Sequence, residues 1–269
     1  MNTTNTLLRS ITASVALAFM SAAIAQEPAA PATAAPEAPA TQAPAATGPV
    51  FVLIDTNKGN IVLELDPVKA PISVENFRRY VKEGFYNNTV FHRIVPNFVV
   101  QGGGFDEKFV QKKTNEPIKN EWTNGLKNSR GSISMARLPS PDSATSQFFL
   151  NLKDNPALDG GNGPGYAVFG KIVVGMDVLD AMGAIRPGPA EATDQTGTKR
   201  MFPDVPSEKV VMKSAAEIDA SAAAKMIAEA KAAAPAPVAP ATGANPAVVK
   251  PAVPVAPAAP AAPAAPAAK

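Results

Sequence analysis

The residues with the greatest capacity for chemistry lie together at positions 91–104, which read FHRIVPNFVVQGGG. This run carries a guanidinium at Arg93 and a carboxamide at Gln101 among aromatic and aliphatic residues. Its alternation of apolar and polar residues predicts two short strands broken at Pro96 and Asn97. A strand-borne arginine among apolar neighbours is expensive to desolvate, because a buried charge needs a partner. The run is therefore a candidate site, in which the carboxamide could bind a substrate carbonyl group.

A serine hydrolase would have to use His92, the only histidine of the chain. Ser143 or Ser146 could then serve as the nucleophile, and Asp142 or Asp159 could orient the imidazole. Neither serine lies in a Gly-x-Ser-x-Gly motif, the usual setting of such a nucleophile. A structural role for the histidine is therefore the favoured interpretation, and a hydrolase is a distant alternative.

Several other classes of site are excluded by composition. The three glycines at 102–104 lack the Lys-Ser/Thr pair of a P-loop and the strand-to-helix setting of a dinucleotide site. The chain has no cysteine and one histidine, which excludes disulfides, thiol catalysis and zinc sites built on several such ligands. The net charge is only +2, and the sequence shows no basic stripe of the kind that binds nucleic acid. We predict no cofactor, no metal and no nucleic-acid partner.

The first 25 residues have the pattern of a secretory signal peptide. A polar start containing Arg9 precedes an apolar run at residues 11–24. The run is short for a membrane span and ends in Ala-Ile-Ala, which fits the small-x-small cleavage rule. We expect the mature chain to begin near Gln26, with no membrane span after cleavage and a periplasmic location.

Composition divides the remainder of the chain into four segments. Residues 26–49 are an Ala/Pro-rich linker, and residues 50–214 hold nearly all the aromatic residues and glycines of one domain. Residues 215–234 have strong helix formers at roughly helical spacing, which predicts a helix with a thin apolar face. Residues 235–269 repeat Ala and Pro without core-forming residues, so a disordered tail is expected.

Within the domain, many short apolar runs and frequent turn signals predict a mainly β fold, an antiparallel barrel or sandwich. Residues 50–65 form a hairpin pattern, and a helix follows that Ser73 could cap and Gly84 could end. Residues 176–182 predict a short helix, and the Gly/Pro-rich residues 183–206 predict a loop. Further strands are predicted within 91–101 and at 131–135, 147–152, 168–173 and 208–213.

Three segments in order resemble the signature of the cyclophilin-type peptidyl-prolyl cis-trans isomerases. They are the run at 91–104, Met135-Ala136-Arg137 leading to Ser146-Gln147-Phe148-Phe149, and the run YAVFGK at 166–171. The resemblance spans about residues 50–214. It implies an eight-stranded antiparallel closed β-barrel capped by two helices.

The resemblance also implies roles for individual residues. Arg93 and Gln101 match the catalytic positions of the family. The positions that match its substrate-binding residues are Phe98, Val99, Ala136, Arg137, Gln147, Phe149, Leu158 and Tyr166.

Four positions depart from the family pattern. Val99 is smaller than the usual Met, Arg137 stands where many relatives have Asn, and Tyr166 replaces a His of many eukaryotic relatives. Ala157 stands where many cyclosporin-sensitive cyclophilins carry Trp. Because the indole donor and its surface are missing, we expect weak cyclosporin binding with catalysis retained.

The reaction that the resemblance implies needs no nucleophile, acid-base pair or metal. An X-Pro bond turns slowly because rotation must break amide resonance, a barrier of about 18–20 kcal/mol. Arg93 could donate to the proline nitrogen as resonance is lost, in a contact made chiefly in the transition state. The expected partners are proline-containing polypeptides in unfolded or extended segments.

Two further interpretations stay open at this point. The same residues could belong to a module that binds proline-containing chains and for which turnover is incidental. The Ala-Pro bonds of the chain's own tails could also occupy the site at high effective concentration.

Overall fold

The computed structural model describes residues 48–161 and 163–233, which contain twelve strands and three α-helices. The strands are β1 (Val50–Thr56), β2 (Gly59–Leu65), β3 (Thr89–Val90), β4 (Arg93–Val95), β5 (Val99–Gly102), β6 (Phe105–Asp106), β7 (Ser132–Met135), β8 (Phe148–Asn151), β9 (Val168–Val174), β10 (Pro187–Thr193), β11 (Lys199–Pro206) and β12 (Val211–Ile218). The helices are α1 (Pro71–Lys82), α2 (Met176–Gly183) and α3 (Ala220–Ala233), with a 3-10 helix at Pro156–Asp159.

The predicted signal peptide, the tail and almost all of the linker lie outside the described residues. Their predicted character therefore stays a prediction. Among the helices that are described, none is long and apolar enough to cross a membrane.

Ten strands form one antiparallel sheet in the order β4-β5-β8-β7-β9-β2-β1-β12-β3-β6. Only Phe91 and His92 separate β3 from β4, although these strands lie near opposite ends of this order. The sheet must therefore curl until its two ends approach each other. The mainly β, antiparallel class agrees with the prediction.

The closed eight-stranded barrel is not confirmed. The main sheet has ten strands, and its end strands β4 and β6 pair with no further strand among the described residues. β3 pairs with β12, whereas β4 pairs with β5. Where the two ends of the sheet meet, β3 and β4 are therefore joined by the covalent chain at Phe91 and His92 and not by a ladder of hydrogen bonds.

The main hydrophobic core lies on one face of the curled sheet and is covered by α1 and α2. Phe77 and Tyr80 of α1 and Leu179 and Met182 of α2 are at most 1% exposed. The ring of Phe77 packs edge-on against Phe148 of β8 with centroids 5.4 Å apart. The helices therefore hold the strands that carry the candidate site.

Several local predictions are confirmed. β1 and β2 pair as a hairpin, in which β1 ends at Thr56 and β2 begins at Gly59. Gly84 follows α1 with a φ of 64°, the left-handed conformation typical of the position after a helix. The helix predicted at 176–182 is α2. These predictions rest on local turn and capping signals, which explains why they hold.

The predicted cap of α1 is wrong. The helix begins at Pro71, before Ser73, and its N-cap residue Ala70 makes no side-chain hydrogen bond. The carboxylate of Glu121 instead accepts hydrogen bonds from the backbone nitrogens of Ile72 at 3.0 Å and Ser73 at 2.8 Å. A side chain distant in sequence supplies the acceptor that a capping residue would otherwise provide.

The loop predicted at 183–206 is also wrong, because this region forms the antiparallel hairpin β10–β11. Its glycines and prolines suggested a loop, since proline cannot donate to a strand ladder. In a two-stranded sheet each strand has a free edge, where a missing donor is tolerated. The prolines are therefore tolerated in these strands because the hairpin does not pair with the main sheet.

The helix expected at 215–234 begins later than predicted, and the predicted domain boundary at 214 falls within a strand. Strand β12 continues to Ile218 because it pairs along β1, with Ala216 opposite Leu53. Helix α3 then begins after Asp219, whose carboxylate accepts a hydrogen bond from the backbone nitrogen of Ala222 at 2.7 Å. Pairing with β1 overrides the helix propensity of these alanine-rich residues.

Candidate functional site

Three of the predicted site residues lie in one row across neighbouring strands. Arg93 of β4 is paired with Gln101 of β5, and Gln101 is paired with Phe149 of β8. Directly paired residues in an antiparallel sheet point to the same face. The guanidinium, the carboxamide and the phenyl ring therefore share one face, which we call the site face. Val99 lies there too, two residues before Gln101.

The opposite face of the same strands is part of the main core. The residues that alternate with the site row and belong to the core cluster are Ile94, Val100, Phe148 and Leu150. Val99 and Phe149 are also buried, at 3% and 5% exposure, but they lie outside the core cluster that the described residues form. The strands thus bury one apolar face in the core and a second, smaller apolar surface on the site face.

Gln147 links two parts of the site. Its side-chain oxygen accepts a hydrogen bond from Nε2 of Gln101 at 2.9 Å, and its backbone oxygen accepts one from the backbone nitrogen of Ala136 at 2.9 Å. A Cβ atom at Gly104 would lie 2.6 Å from the side chain of Gln147, so a larger residue at 104 would displace that side chain. The structure therefore brings together three of the predicted site residues, Gln101, Ala136 and Gln147.

Arg93 forms an ion pair that the sequence did not predict. Its Nε donates to Oδ2 of Asp204 on β11 at 3.2 Å, and the two side chains are 22% and 30% exposed. Within residues 48–161 and 163–233 the terminal amino groups of Arg93 make no hydrogen bond. No local pattern could have identified Asp204, because it lies 111 residues away in the region interpreted as a loop.

Aromatic side chains form one wall of the site face. The rings of Phe149 and Tyr166 pack edge-on with centroids 5.5 Å apart and an interplanar angle of 79°. The guanidinium carbon of Arg137 lies 4.6 Å from the centroid of the Tyr166 ring. Arg137 and Tyr166, two of the positions that depart from the family pattern, are therefore in contact, with the cation stacked on the aromatic ring.

Arg137 also holds two loops together. Its guanidinium donates to the backbone oxygens of Leu138 and Pro139 on its own loop, at 2.9 and 3.3 Å. It donates to those of Pro164 and Gly165 on the loop before Tyr166, at 2.5 and 3.2 Å. The side chain therefore organises this end of the site in addition to contributing positive charge.

The remaining predicted residues lie around the 3-10 helix. The backbone oxygen of Leu158 accepts a hydrogen bond from the backbone nitrogen of Tyr166 at 2.9 Å. The backbone oxygen of Phe98 accepts one from Nδ2 of Asn155 at 3.1 Å, which ties the β4–β5 turn to the start of this helix. Ala157 is exposed on the same helix. The structure thus locates all the predicted residues, whose roles in binding and catalysis stay predictions.

The elements of the alternative serine hydrolase are not brought together. His92 is 3% exposed, its ring lies 4.6 Å from that of Phe105, and its Nδ1 has no hydrogen-bond partner in the described structure. The hydroxyl of Ser143 donates to the backbone oxygen of Ser140, and that of Ser146 is buried without a partner. A histidine that contacts neither hydroxyl cannot activate it.

The described part of the chain contains no group of three or more histidine, aspartate or glutamate side chains that could hold a metal ion. The groups that the site face does offer are hydrogen-bonding side chains, the guanidinium of Arg93 and apolar surface.

Comparison with known proteins matches the same region of the chain. The family model described as cyclophilin type peptidyl-prolyl cis-trans isomerase matches residues 51–215. Peptidyl-prolyl cis-trans isomerase A of Dickeya dadantii is 52% identical over 171 residues, which are 63% of this chain and 85% of that protein. The peptidyl-prolyl cis-trans isomerase of Acinetobacter baylyi is 49% identical, over 61% of this chain and 84% of that protein. Peptidyl-prolyl cis-trans isomerase B of Escherichia coli is 47% identical, over 61% and 96%.

The burial of His92 predicts a pH-dependent stability. Desolvation, and then the charge of Arg93, lower the pKa of His92 from 6.5 to about 3. Between these values the unfolded chain binds a proton that the native protein does not, so stability falls as the pH is lowered through this window. From pH 7 to pH 4.5 we expect His92 to account for a loss of about 2 to 3 kcal/mol.

Urea unfolding of the wild type and of His92→Gln at both pH values measures this loss. Carboxylates titrate in both proteins, so their contribution cancels in the difference between the two. Equal losses in the two proteins would show that His92 does not titrate as its burial requires.

Proposed function

This chain belongs to the family of cyclophilin-type peptidyl-prolyl cis-trans isomerases, and we propose that it uses Arg93 to accelerate X-Pro isomerisation during the folding of exported proteins. Its activity as a peptidyl-prolyl cis-trans isomerase follows from the family. The observation that carries the mechanism is the row formed by Arg93, Gln101 and Phe149 on the site face.

The reaction needs no nucleophile or acid-base pair, but the substrate must be held in a defined position. Uncatalysed X-Pro exchange takes roughly tens to hundreds of seconds, because the partial double bond must be lost before the chain can turn. The catalyst must hold the proline ring, leave one side of the bond free to rotate and favour the twisted imide. Interactions that strengthen only as the imide twists raise turnover, whereas those present throughout raise affinity alone.

Arg93 is suited to the first kind of interaction. The proline nitrogen becomes a better acceptor as resonance is lost, so a fixed donor aimed at it stabilises the transition state selectively. Because Nε is bound to Asp204, the terminal amino groups are the donors that remain for a substrate. Only a donor atom is needed from Arg93, and no proton has to be transferred.

The neighbouring residues fit the task of holding the substrate. Phe149, Val99 and the Tyr166 ring offer apolar surface for the proline ring. The backbone of Ala136 and the carboxamide of Gln101 offer polar groups for an extended peptide backbone. These contacts would be made with the cis, trans and twisted forms alike, and so they support affinity rather than rate.

The ion pair of Arg93 also supports a second candidate, a module that binds proline-containing chains. Asp204 offsets part of the positive charge of the guanidinium, which would weaken its action on a twisted imide. In a binding module, loss of the guanidinium would lower affinity and leave little turnover to lose. Substitution of Arg93 therefore discriminates between the two candidates.

We expect Arg93→Ala to lower the catalysed exchange rate of an Ala-Pro peptide by about 10²- to 10³-fold, the scale for loss of one transition-state donor. Peptide affinity should change much less, because the apolar surface is retained. Magnetisation-exchange NMR measures the rate, and titration of the same peptide measures the affinity.

Arg78→Ala is the matched control for this experiment. Arg78 is similarly half-buried and pairs with Glu217 at 2.9 Å, but it lies on α1, away from the site row. Its loss should leave the rate within about twofold, since no substrate contact is removed. A rate for Arg93→Ala close to that of Arg78→Ala would favour the binding module.

We further propose that the chain is exported and acts in the periplasm. The support is the N-terminal pattern, in which Arg9 precedes the apolar residues 11–24 and an Ala-Ile-Ala cleavage site. N-terminal sequencing of the protein from a periplasmic fraction should begin at Gln26. A chain that retains its first 25 residues in the cytoplasm would contradict export.

Cyclosporin should bind this protein weakly, while its isomerase activity is retained. Ala157 is exposed on the 3-10 helix just before Leu158, and it supplies neither an indole donor nor an aromatic surface. Ala157→Trp should tighten binding about tenfold or more, because it adds both, and Ala157→Phe should give a smaller gain. Calorimetric titration of the three proteins measures these affinities, and nanomolar binding by the wild type would contradict the expectation.

A further inference from the structure

The hairpin β10–β11 packs against the edge strand β4, which carries Arg93. Along β11 the half-buried residues Arg200, Phe202 and Asp204 alternate with exposed ones, of which Met201 is 64% exposed. This alternation shows that one side of the hairpin faces the protein and the other faces solvent. The hairpin is therefore a second layer placed beside the site.

Phe202 anchors the inward side of this hairpin. Its ring lies 5.6 Å from that of Phe105 and 6.4 Å from that of His92, with edge-on packing in both cases. It belongs to a small hydrophobic cluster built on Val90, Phe105 and Ala192, separate from the main core. Burial of an aromatic ring in such a cluster fixes the position of the strand that carries it.

Two residues after this anchor, a bulge presents Asp204 to Arg93. Pro203 and Asp204 of β11 face the single residue Pro189 of β10, where the register of the hairpin shifts. A β-bulge bends its strand and redirects the side chains at that point. The carboxylate at the bulge reaches Nε of Arg93 at 3.2 Å.

We propose that Asp204 is a positioning residue for isomerisation, holding the plane of the Arg93 guanidinium while leaving its terminal amino groups for the proline imide. The inference rests on the proposed role of Arg93. A long side chain that is 22% exposed can occupy several rotamers, and a carboxylate on Nε removes most of that freedom before substrate arrives. A guanidinium that is already oriented before substrate binds lowers the activation barrier, because its orientation need not be acquired in the transition state.

The test compares Asp204→Asn with a matched control on the same hairpin, Glu191→Gln. Glu191 forms an ion pair with Lys199 at 2.7 Å, but both side chains are more than half exposed. Each variant removes one carboxylate from one hairpin ion pair with little change of shape. Asp204→Asn should lower kcat roughly tenfold with KM within about twofold, whereas Glu191→Gln should change neither. Asp204→Glu should restore part of kcat, because it returns the carboxylate.

The ¹H–¹⁵N resonance of Arg93 Nε is a second readout that does not depend on activity. In the wild type it should be sharp and protected from solvent exchange, because its proton is held by the carboxylate. In Asp204→Asn it should broaden or exchange faster, while the backbone amide spectrum of the main sheet stays unchanged.

The inference is overturned if kcat of Asp204→Asn stays within twofold of the wild type, or if the Nε resonance is unaffected. It is also overturned if Glu191→Gln loses as much kcat as Asp204→Asn, since the effect would then belong to hairpin stability. Failure of the proposed function is a different result: Arg93→Ala would keep its exchange rate even though Asp204→Asn altered the Nε resonance.

Discussion

The register of the strands β4, β5 and β8 is the constraint on which the site depends. Side chains alternate between the two faces of a strand, so Arg93, Gln101 and Phe149 share a face only because they are directly paired. A slip of one residue would turn the guanidinium toward the core and expose Ile94. Burial of the core face therefore fixes the register, and the register aligns the polar and aromatic groups of the site.

The electrostatic setting of Arg93 comes from its neighbour in the chain, His92, and from Asp204 on the separate hairpin β10–β11. His92, its neighbour, is held neutral at physiological pH because burial lowers its pKa to about 3, so it adds no second charge beside the guanidinium. Asp204 lies on the hairpin β10–β11, which is not part of the sheet that contains β4 and β5. The cation thus has no charged histidine beside it and is held at one atom by a carboxylate, which suits a donor whose partner changes during the reaction.

The sequence allowed prediction of the features that depend on local patterns. The run at 91–104 indicated Arg93 and Gln101, because its alternation and its family resemblance lie within one short segment. The contact with Asp204 could not be predicted, since it joins segments 111 residues apart through a hairpin rich in glycine and proline. The role of Arg137 in joining two loops was missed for a similar reason: its acceptors are backbone oxygens, which carry no sequence signal.

The central claim is that the guanidinium of Arg93 acts on the imide of a proline held against Phe149. A crystal structure of this protein with a bound Ala-Pro peptide tests it most directly. The account predicts the proline ring against Phe149 and a terminal amino group of Arg93 about 3 Å from the imide nitrogen or its adjoining carbonyl. A peptide bound away from the site face, or a guanidinium turned from the imide into solvent, would contradict it.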